Sequence, residues 1–296
     1  MSAIQTVLVI LALVGLGVFL LRQIGGREPV YHVSARAPAF FVALKYRNPQ
    51  QAAEKPVAGV EIRWRADADF TLIGGGAPYW DRFLIVAGGA PDAIPLHLSD
   101  GIEDAYVARL ALAEPPRLVL GVIRLLVATR IWRMPEGEVS ADLGHTGFRN
   151  DAMPDRQAID RLMAQPVTYS PSMVNFLKYY PAARYAGTDA SRTPSSGRAA
   201  YNRYGVVAMQ TVYRTGGHLI FYGRVEAVLR EAKDGPTLGA WDDIAVMQYS
   251  EPKAILSMER VERYVKALNH RDAALERTIV IASTARQGSV RQPAVK

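Results

Sequence analysis

Two stretches of this chain carry one pattern twice. Tyr79-Trp80-Asp81-Arg82-Phe83-Leu84-Ile85-Val86 returns as Ala240-Trp241-Asp242-Asp243-Ile244-Ala245-Val246-Met247. Each Trp-Asp pair is followed at the same offset by Pro-x-Ala-Ile, as Pro91-Asp92-Ala93-Ile94 and Pro252-Lys253-Ala254-Ile255. Upstream, Leu44-Lys45-Tyr46 matches Leu177-Lys178-Tyr179. A duplicated unit in 296 residues predicts two like domains of ordinary size, 38–134 and 167–285, able to form one barrel within the chain. Because Trp80, Asp81, Trp241 and Asp242 occur in both copies, they read as structural: the Trp packs at the entrance to a strand and the Asp accepts backbone hydrogen bonds in the preceding turn.

The second copy is the clearer. A strand over Met173–Tyr179 is followed by a turn-rich loop, Gly187–Gly197, and by a helix from Arg198 to about Arg214 with Tyr201, Tyr204, Val207, Ala208, Thr211 and Val212 on one face. His218–Leu229 alternates as a strand, with Leu219, Phe221 and Val225 on one side and His218, Ile220, Tyr222 and Arg224 on the other. A strand over Ile244–Tyr249 leads through an N-cap at Ser250 into a helix burying Ile255, Met258, Val261, Tyr264, Val265 and Leu268. Thr278–Ala282 is the last strand, and His270-Arg271 follows the helix, where a cation suits its C-terminus. The order β-α-β-β-α-β is that of a ferredoxin-like unit, an α+β fold.

The first copy is degenerate. Its strands are expected at Phe40–Tyr46, Phe70–Gly74, Phe83–Ala87 and Arg117–Val122 and its second helix at Asp92–Leu112, while Val57–Ala66 is too short and β-branched to be its first helix. Between the copies lies a linker, 135–166, in which Gly137–Asn150 reads as loop and Pro154–Ala164 as a short helix. Ile123–Arg133 reads as strand from its Val, Ile and Thr content, the alternative being a basic amphipathic helix at a membrane surface.

Residues 1–24 predict a single transmembrane anchor. No charged side chain stands between Ser2 and Leu21, and at about 1.5 Å per residue the run approaches the ~30 Å hydrocarbon core of a bilayer. A signal peptide is the rival, but no Lys or Arg precedes the run and the small-x-small site Ala35-Arg36-Ala37 lies far beyond it. A tether, 25–37, follows, and a basic tail occupies 286–296. Arg22, Arg27, Arg36, Lys45 and Arg47 all come after the apolar run, which predicts a single-pass protein with its folded part on the cytoplasmic side.

The second copy resembles the domain of unknown function numbered 1330, of the dimeric α/β-barrel superfamily. The resemblance rests on Asn175-Phe176-Leu177-Lys178-Tyr179, Arg198-Ala199-Ala200-Tyr201-Asn202-Arg203-Tyr204-Gly205, Gly223-Arg224-Val225, Trp241-Asp242-Asp243-Ile244-Ala245 and His270-Arg271-Asp272-Ala273-Ala274-Leu275. It implies two ferredoxin-like sheets face to face around a cavity, here an intrachain pseudo-dimer. The first copy lacks the Arg198–Gly205 motif and shows Ala43 where the second has Asn175, so any site is expected to be asymmetric and built mainly from the second copy.

Composition narrows the chemistry. With no cysteine there is no thiolate, disulfide or Cys-type zinc site. His32, His97, His145, His218 and His270 show no paired ligand spacing, so no metal is expected. Phosphate-loop and Gly-x-Ser-x-Gly signatures are missing, and no cofactor is expected. The formal charge of +7 comes from scattered Lys and Arg, which fits anionic lipid and not nucleic acid. The candidate pocket comprises Asn175, Tyr201, Tyr204, His218, Tyr222 and Arg224, with a small hydrophobic or aromatic ligand as its partner. The alternatives are a cofactor-independent monooxygenase or isomerase, in which His218 and Tyr222 move a proton, and a membrane-surface scaffold without catalysis.

Overall fold

The computed structural model describes residues 3–26, 37–49, 54–99, 101–138, 150–186 and 195–286. Most of the tether, most of the loop Gly187–Gly197, the linker centre at 139–149, the tail beyond 286, His32 and His145 lie outside the described residues.

Helix α1 (Ala3–Gly25) is long and apolar enough to cross a membrane. The rest builds on eight antiparallel strands: β1 (Ala39–Tyr46), β2 (Val60–Ile73), β3 (Arg82–Gly88), β4 (Ile102–Leu112), β5 (Ser172–Tyr179), β6 (His218–Arg230), β7 (Asp243–Gln248) and β8 (Leu275–Ala285). They hydrogen-bond in the closed order β1-β3-β2-β8-β5-β7-β6-β4, and the β4–β1 ladder completes the ring. Closure leaves no strand edge unpaired.

The pairing repeats between the halves. β1 lies between β3 and β4 as β5 lies between β7 and β8, and the joints are β2 on β8 and β6 on β4. Even an irregularity recurs: register shifts at Lys45/Tyr46 against β4 and at Lys178/Tyr179 against β8. The repeated aspartates explain it. Asp81 Oδ2 accepts the Tyr46 amide at 2.6 Å, Asp242 Oδ2 accepts the Tyr179 amide at 2.8 Å, and the amide of each Asp donates to Leu44 or Leu177 at 2.9 Å. The carboxylates thus tie two strands together, whereas the preceding turn was the expected partner.

The barrel interior is a packed aromatic core. Phe176 stands with its ring 5.5 Å from Phe41, 6.4 Å from Phe83, 6.1 Å from Tyr106 and 5.5 Å from Trp241. Both repeated tryptophans converge on the buried Thr237: Trp80 Nε1 donates to its hydroxyl at 3.0 Å and Trp241 Nε1 to its carbonyl at 2.8 Å. Phe, Trp and Tyr at these separations gain edge-to-face contacts as well as area.

Outside the barrel the halves differ. The second sheet is covered by α4 (Gly197–Arg214) and α6 (Glu262–Ala274), so that Met173, Leu177 and Tyr179 pack with Tyr201, Ala208, Val212 and Leu268. Ser196 caps α4 by accepting the Ala199 amide. Between β7 and α6, the short α5 (Pro252–Ser257) is separated from α6 by a 3-10 turn and an extended Val261. The expected single helix there is broken, Ser250 donates its hydroxyl to Thr215, and Glu251 takes the cap position. His270 and Arg271 lie within α6, not after it, and Arg271 is buried against the Ala152 carbonyl. In the linker, α3 (Arg156–Met163) starts at Asp155, whose carboxylate accepts the Ala158 amide at 2.7 Å.

Among the described residues, the first half wears no helix on its sheet. Phe40, Val42, Leu44, Leu84 and Val86 are covered by Leu96, with Ile94 and Leu98, from an irregular segment. The helix expected over Asp92–Leu112 is therefore wrong: Pro95 and Gly101 break it, and Ile102–Leu112 has both faces buried as β4. β2 is also far longer than the expected Phe70–Gly74 and absorbs most of Val57–Ala66.

The remaining correction is α2 (Arg117–Ala128), expected as strand at both Arg117–Val122 and Ile123–Arg133. Pro115-Pro116 ends β4's course, and Leu120 and Ile123, three apart, bury against Tyr213. Helical burial of one stripe outweighs the β-leaning composition.

Candidate functional site

The second half contains a buried carboxylate with three polar partners. Asp243 opens β7 and is fully buried. Its Oδ2 accepts from Tyr179 Oη at 2.7 Å and Tyr222 Oη at 2.5 Å, and Oδ1 accepts from the Arg198 guanidinium in the first turn of α4. The two phenol oxygens are 3.3 Å apart. Burial, reinforced by neighbouring acidic groups, holds the Tyr179 and Tyr222 phenols above their ordinary range, so both remain protonated donors. The Arg198 guanidinium also lies 5.1 Å from the Tyr179 ring centre.

Tyr222 carries this cluster to an apolar groove between α4 and the sheet. The groove has a volume of about 290 Å³, and its walls include Tyr201, Tyr204, Met209, Leu219, Tyr222 and Met247. Ala113-Glu114-Pro115, just ahead of α2, form its rim. A smaller cavity of about 90 Å³ lies deeper, under α4 and α6, and shares Tyr201, Tyr204 and Met247 with the groove. Asn175 lines this inner cavity, with its amide nitrogen held by the Met173 and Ala245 carbonyls at 2.9 and 3.2 Å. Tyr204 and Tyr264 hydroxyls meet at 3.3 Å, and Tyr201 stacks between Tyr179 and Tyr204 at 5.2 and 5.4 Å. The site therefore offers flat apolar walls, two methionines that adapt to shape, and phenol oxygens at fixed places.

Asn175, Tyr201, Tyr204 and Tyr222 are brought together, but outside the barrel, on the helix side of the sheet. His218 and Arg224 are not part of the group. A register shift between Leu219 and Phe221 breaks the alternation of β6: Ile220 and Phe221 both join the barrel core, while Leu219 faces the groove. The proposed His218–Tyr222 face is thus not formed. His218 stands opposite Gln248, and burial, with Arg124 nearby, pushes its imidazole down to about 4. Arg224 is exposed.

Asp243, Tyr179 and Arg198 were absent from the sequence-based candidate pocket. One signal lay beside the shared Trp-Asp pair, where Asp243 stands at the position aligned with Arg82. Alignment of Tyr46 with Tyr179 also places Val42, and not Ala43, opposite the position of Asn175; Ala43 corresponds to Phe176. Among the described residues no group of three His, Asp or Glu is placed to hold a metal ion.

No family model matches the chain, and no curated protein matches it. Two solved structures are similar to it. One is methylated RPA0582 protein, 26% identical, matched over 46% of this chain and 95% of that one with a TM-score of 0.39. The other is RPA0582, a protein of unknown function from Rhodopseudomonas palustris, 26% identical over 44% and 92% with a TM-score of 0.37.

Proposed function

We propose that the chain is a single-pass, membrane-anchored binding protein that holds a small hydrophobic or aromatic molecule in the groove between α4 and the sheet. The reading includes a diverged relationship to the dimeric α/β-barrel superfamily, with the two halves as ferredoxin-like units in an intrachain pseudo-dimer and the folded part on the cytoplasmic side. The repeated strand order supports the pseudo-dimer, and α1 supports the anchor. One observation carries the ligand: an apolar groove of about 290 Å³ whose polar wall, Tyr222, is fixed by a buried carboxylate. Because Tyr222 donates its proton to Asp243, its oxygen presents lone pairs, and it suits a ligand bearing a hydroxyl or N–H group. The filled barrel interior favours binding beside the sheet over chemistry inside it.

The test uses 2-naphthol, an aromatic alcohol whose fluorescence reports burial, titrated into the full chain in detergent micelles. Saturable binding is expected, weakened about fivefold by Tyr222→Phe through loss of one hydrogen bond. Gly205→Trp should abolish it, because Gly205 lines the groove and has open space around its Cα. Binding that Gly205→Trp leaves untouched would place the probe elsewhere and overturn the reading, as would no saturable binding at all.

A further inference from the structure

We propose that α2 lies flat in the membrane interface, as a second lipid contact that fixes the barrel against the bilayer. At about 1.5 Å per residue its 12 residues reach about 18 Å, too short for the ~30 Å hydrocarbon core. Its inner stripe, Leu120 and Ile123, packs on Tyr213. Its outer stripe does not: Leu118, Val119, Val122 and Leu125 are 37–44% exposed, and Ile131 just beyond is 69% exposed. Large apolar side chains grouped on one helix face call for a cover.

The position of α2 names that cover. It is joined to the end of α1, where a membrane-spanning helix leaves the hydrocarbon. The two backbones touch at a pair of glycines: a Cβ on Gly121 would stand 1.8 Å from the Leu21 carbonyl oxygen, and one on Gly25 would stand 1.8 Å from that of Arg117. Arg124 adds hydrogen bonds to the Ile24 and Gly25 carbonyls at 3.0 and 3.4 Å. The exposed stripe of α2 therefore extends the apolar surface of α1 sideways. Arg22, Arg117, Arg130 and Arg133 surround it, all exposed, the pattern of a helix seated among anionic headgroups. This inference stands apart from the ligand reading and does not need the groove to be occupied.

The absence of cysteine allows unique labelling. In the full chain reconstituted into phosphatidylcholine–phosphatidylglycerol vesicles, nitroxides are placed singly by Val122→Cys, Leu125→Cys and Lys266→Cys, the last on the exposed side of α6. Labels at 122 and 125 are expected to collide more with oxygen than with a water-soluble nickel chelate, with the order reversed at 266. Introducing Val119→Asp with Val122→Asp should remove the oxygen preference of a label at 125 while the circular dichroism stays unchanged. Nickel accessibility at 122 and 125 equal to that at 266 would overturn the proposal, because it means the helix faces water. Shielding from both reagents would also overturn it, since the cover would then be protein, such as a second copy of this chain.

Discussion

The two halves of the barrel solve one local problem with opposite charges. In the second, Tyr179 donates to Asp243 on the strand, and the arginine comes from the covering helix as Arg198. In the first, the arginine is on the strand as Arg82, and Tyr46 donates at 2.7 Å to Glu54, which comes from the stretch ahead of β2 and pairs with Arg82. The arginine lies 5.3 Å from the Tyr46 ring centre in one half and 5.1 Å from that of Tyr179 in the other. What recurs is a tyrosine, a carboxylate and a guanidinium at the end of the first strand of each half; which element supplies which charge differs. The difference that matters for function lies above this cluster. An irregular segment lies directly on the first sheet, whereas helices stand off the second and leave room for a groove.

The interior shows a second exchange, and it gives the largest expected effect. Ala43 and Phe176 occupy matching positions, so the ring of one half fills space that the small residue of the other leaves. Phe176→Ala should cost about 3–5 kcal/mol in chemical denaturation. Ala43→Phe should cost about 1–3 kcal/mol through overpacking. Combining them should recover part of both losses; a strictly additive double variant would show that the two sites do not share one space.

The charge exchange comes next. Asp243→Arg leaves Arg198 facing a like charge and should cost roughly 3 kcal/mol. If residue identity is free and only the pair matters, adding Arg198→Glu should restore most of that loss, by re-forming an ion pair of the kind Arg82 and Glu54 make in the first half. Failure of the pair to recover would mean that Asp243 serves its two tyrosines more than its arginine.

The smallest effect is the pH dependence that His218 of the second half adds. The His218 imidazole is lowered from 6.5 to about 4 by burial and by Arg124, so the folded state binds its proton less well than the unfolded chain. The stability tied to the neutral imidazole is present above pH 6.5 and is lost as pH falls from 6.5 through about 4. With solvent access allowed for, this amounts to roughly 2 kcal/mol. His218→Gln should flatten that part of the stability profile, and a profile unchanged by the substitution would assign the acid sensitivity to carboxylates.

How far the chain could be read in advance follows the same division. The paired Trp-Asp windows located β3 and β7, and the apolar runs ending in Leu44-Lys45-Tyr46 and Leu177-Lys178-Tyr179 located β1 and β5. In the second half the spacing of Tyr201, Tyr204, Ala208 and Val212 was enough to place α4, which walls the groove, whereas the pocket was expected inside the barrel. The first half is harder to read because analogy with the second predicts a helix over Asp92–Leu112, whereas Ile102–Leu112 buries both faces as a strand. Two features leave little trace in a single sequence. The shifted register at Leu219/Phe221 turns His218 away from Tyr222 without any glycine or proline to announce it. Asp243 is hidden because its counterpart carries the opposite charge.

Ring closure by β8 also sets an order of events in the life of the chain. β8 is the last of the eight described strands to leave the ribosome, long after α1, yet it must enter between β5 and β2; the Thr284–Asp69 hydrogen bond joins residues 215 positions apart. Until it arrives, β2 and β5 each offer an open edge, and a contact so distant along the chain forms slowly. Translation that stalls before Leu275 would leave an unclosed sheet whose two open edges invite pairing between neighbouring chains.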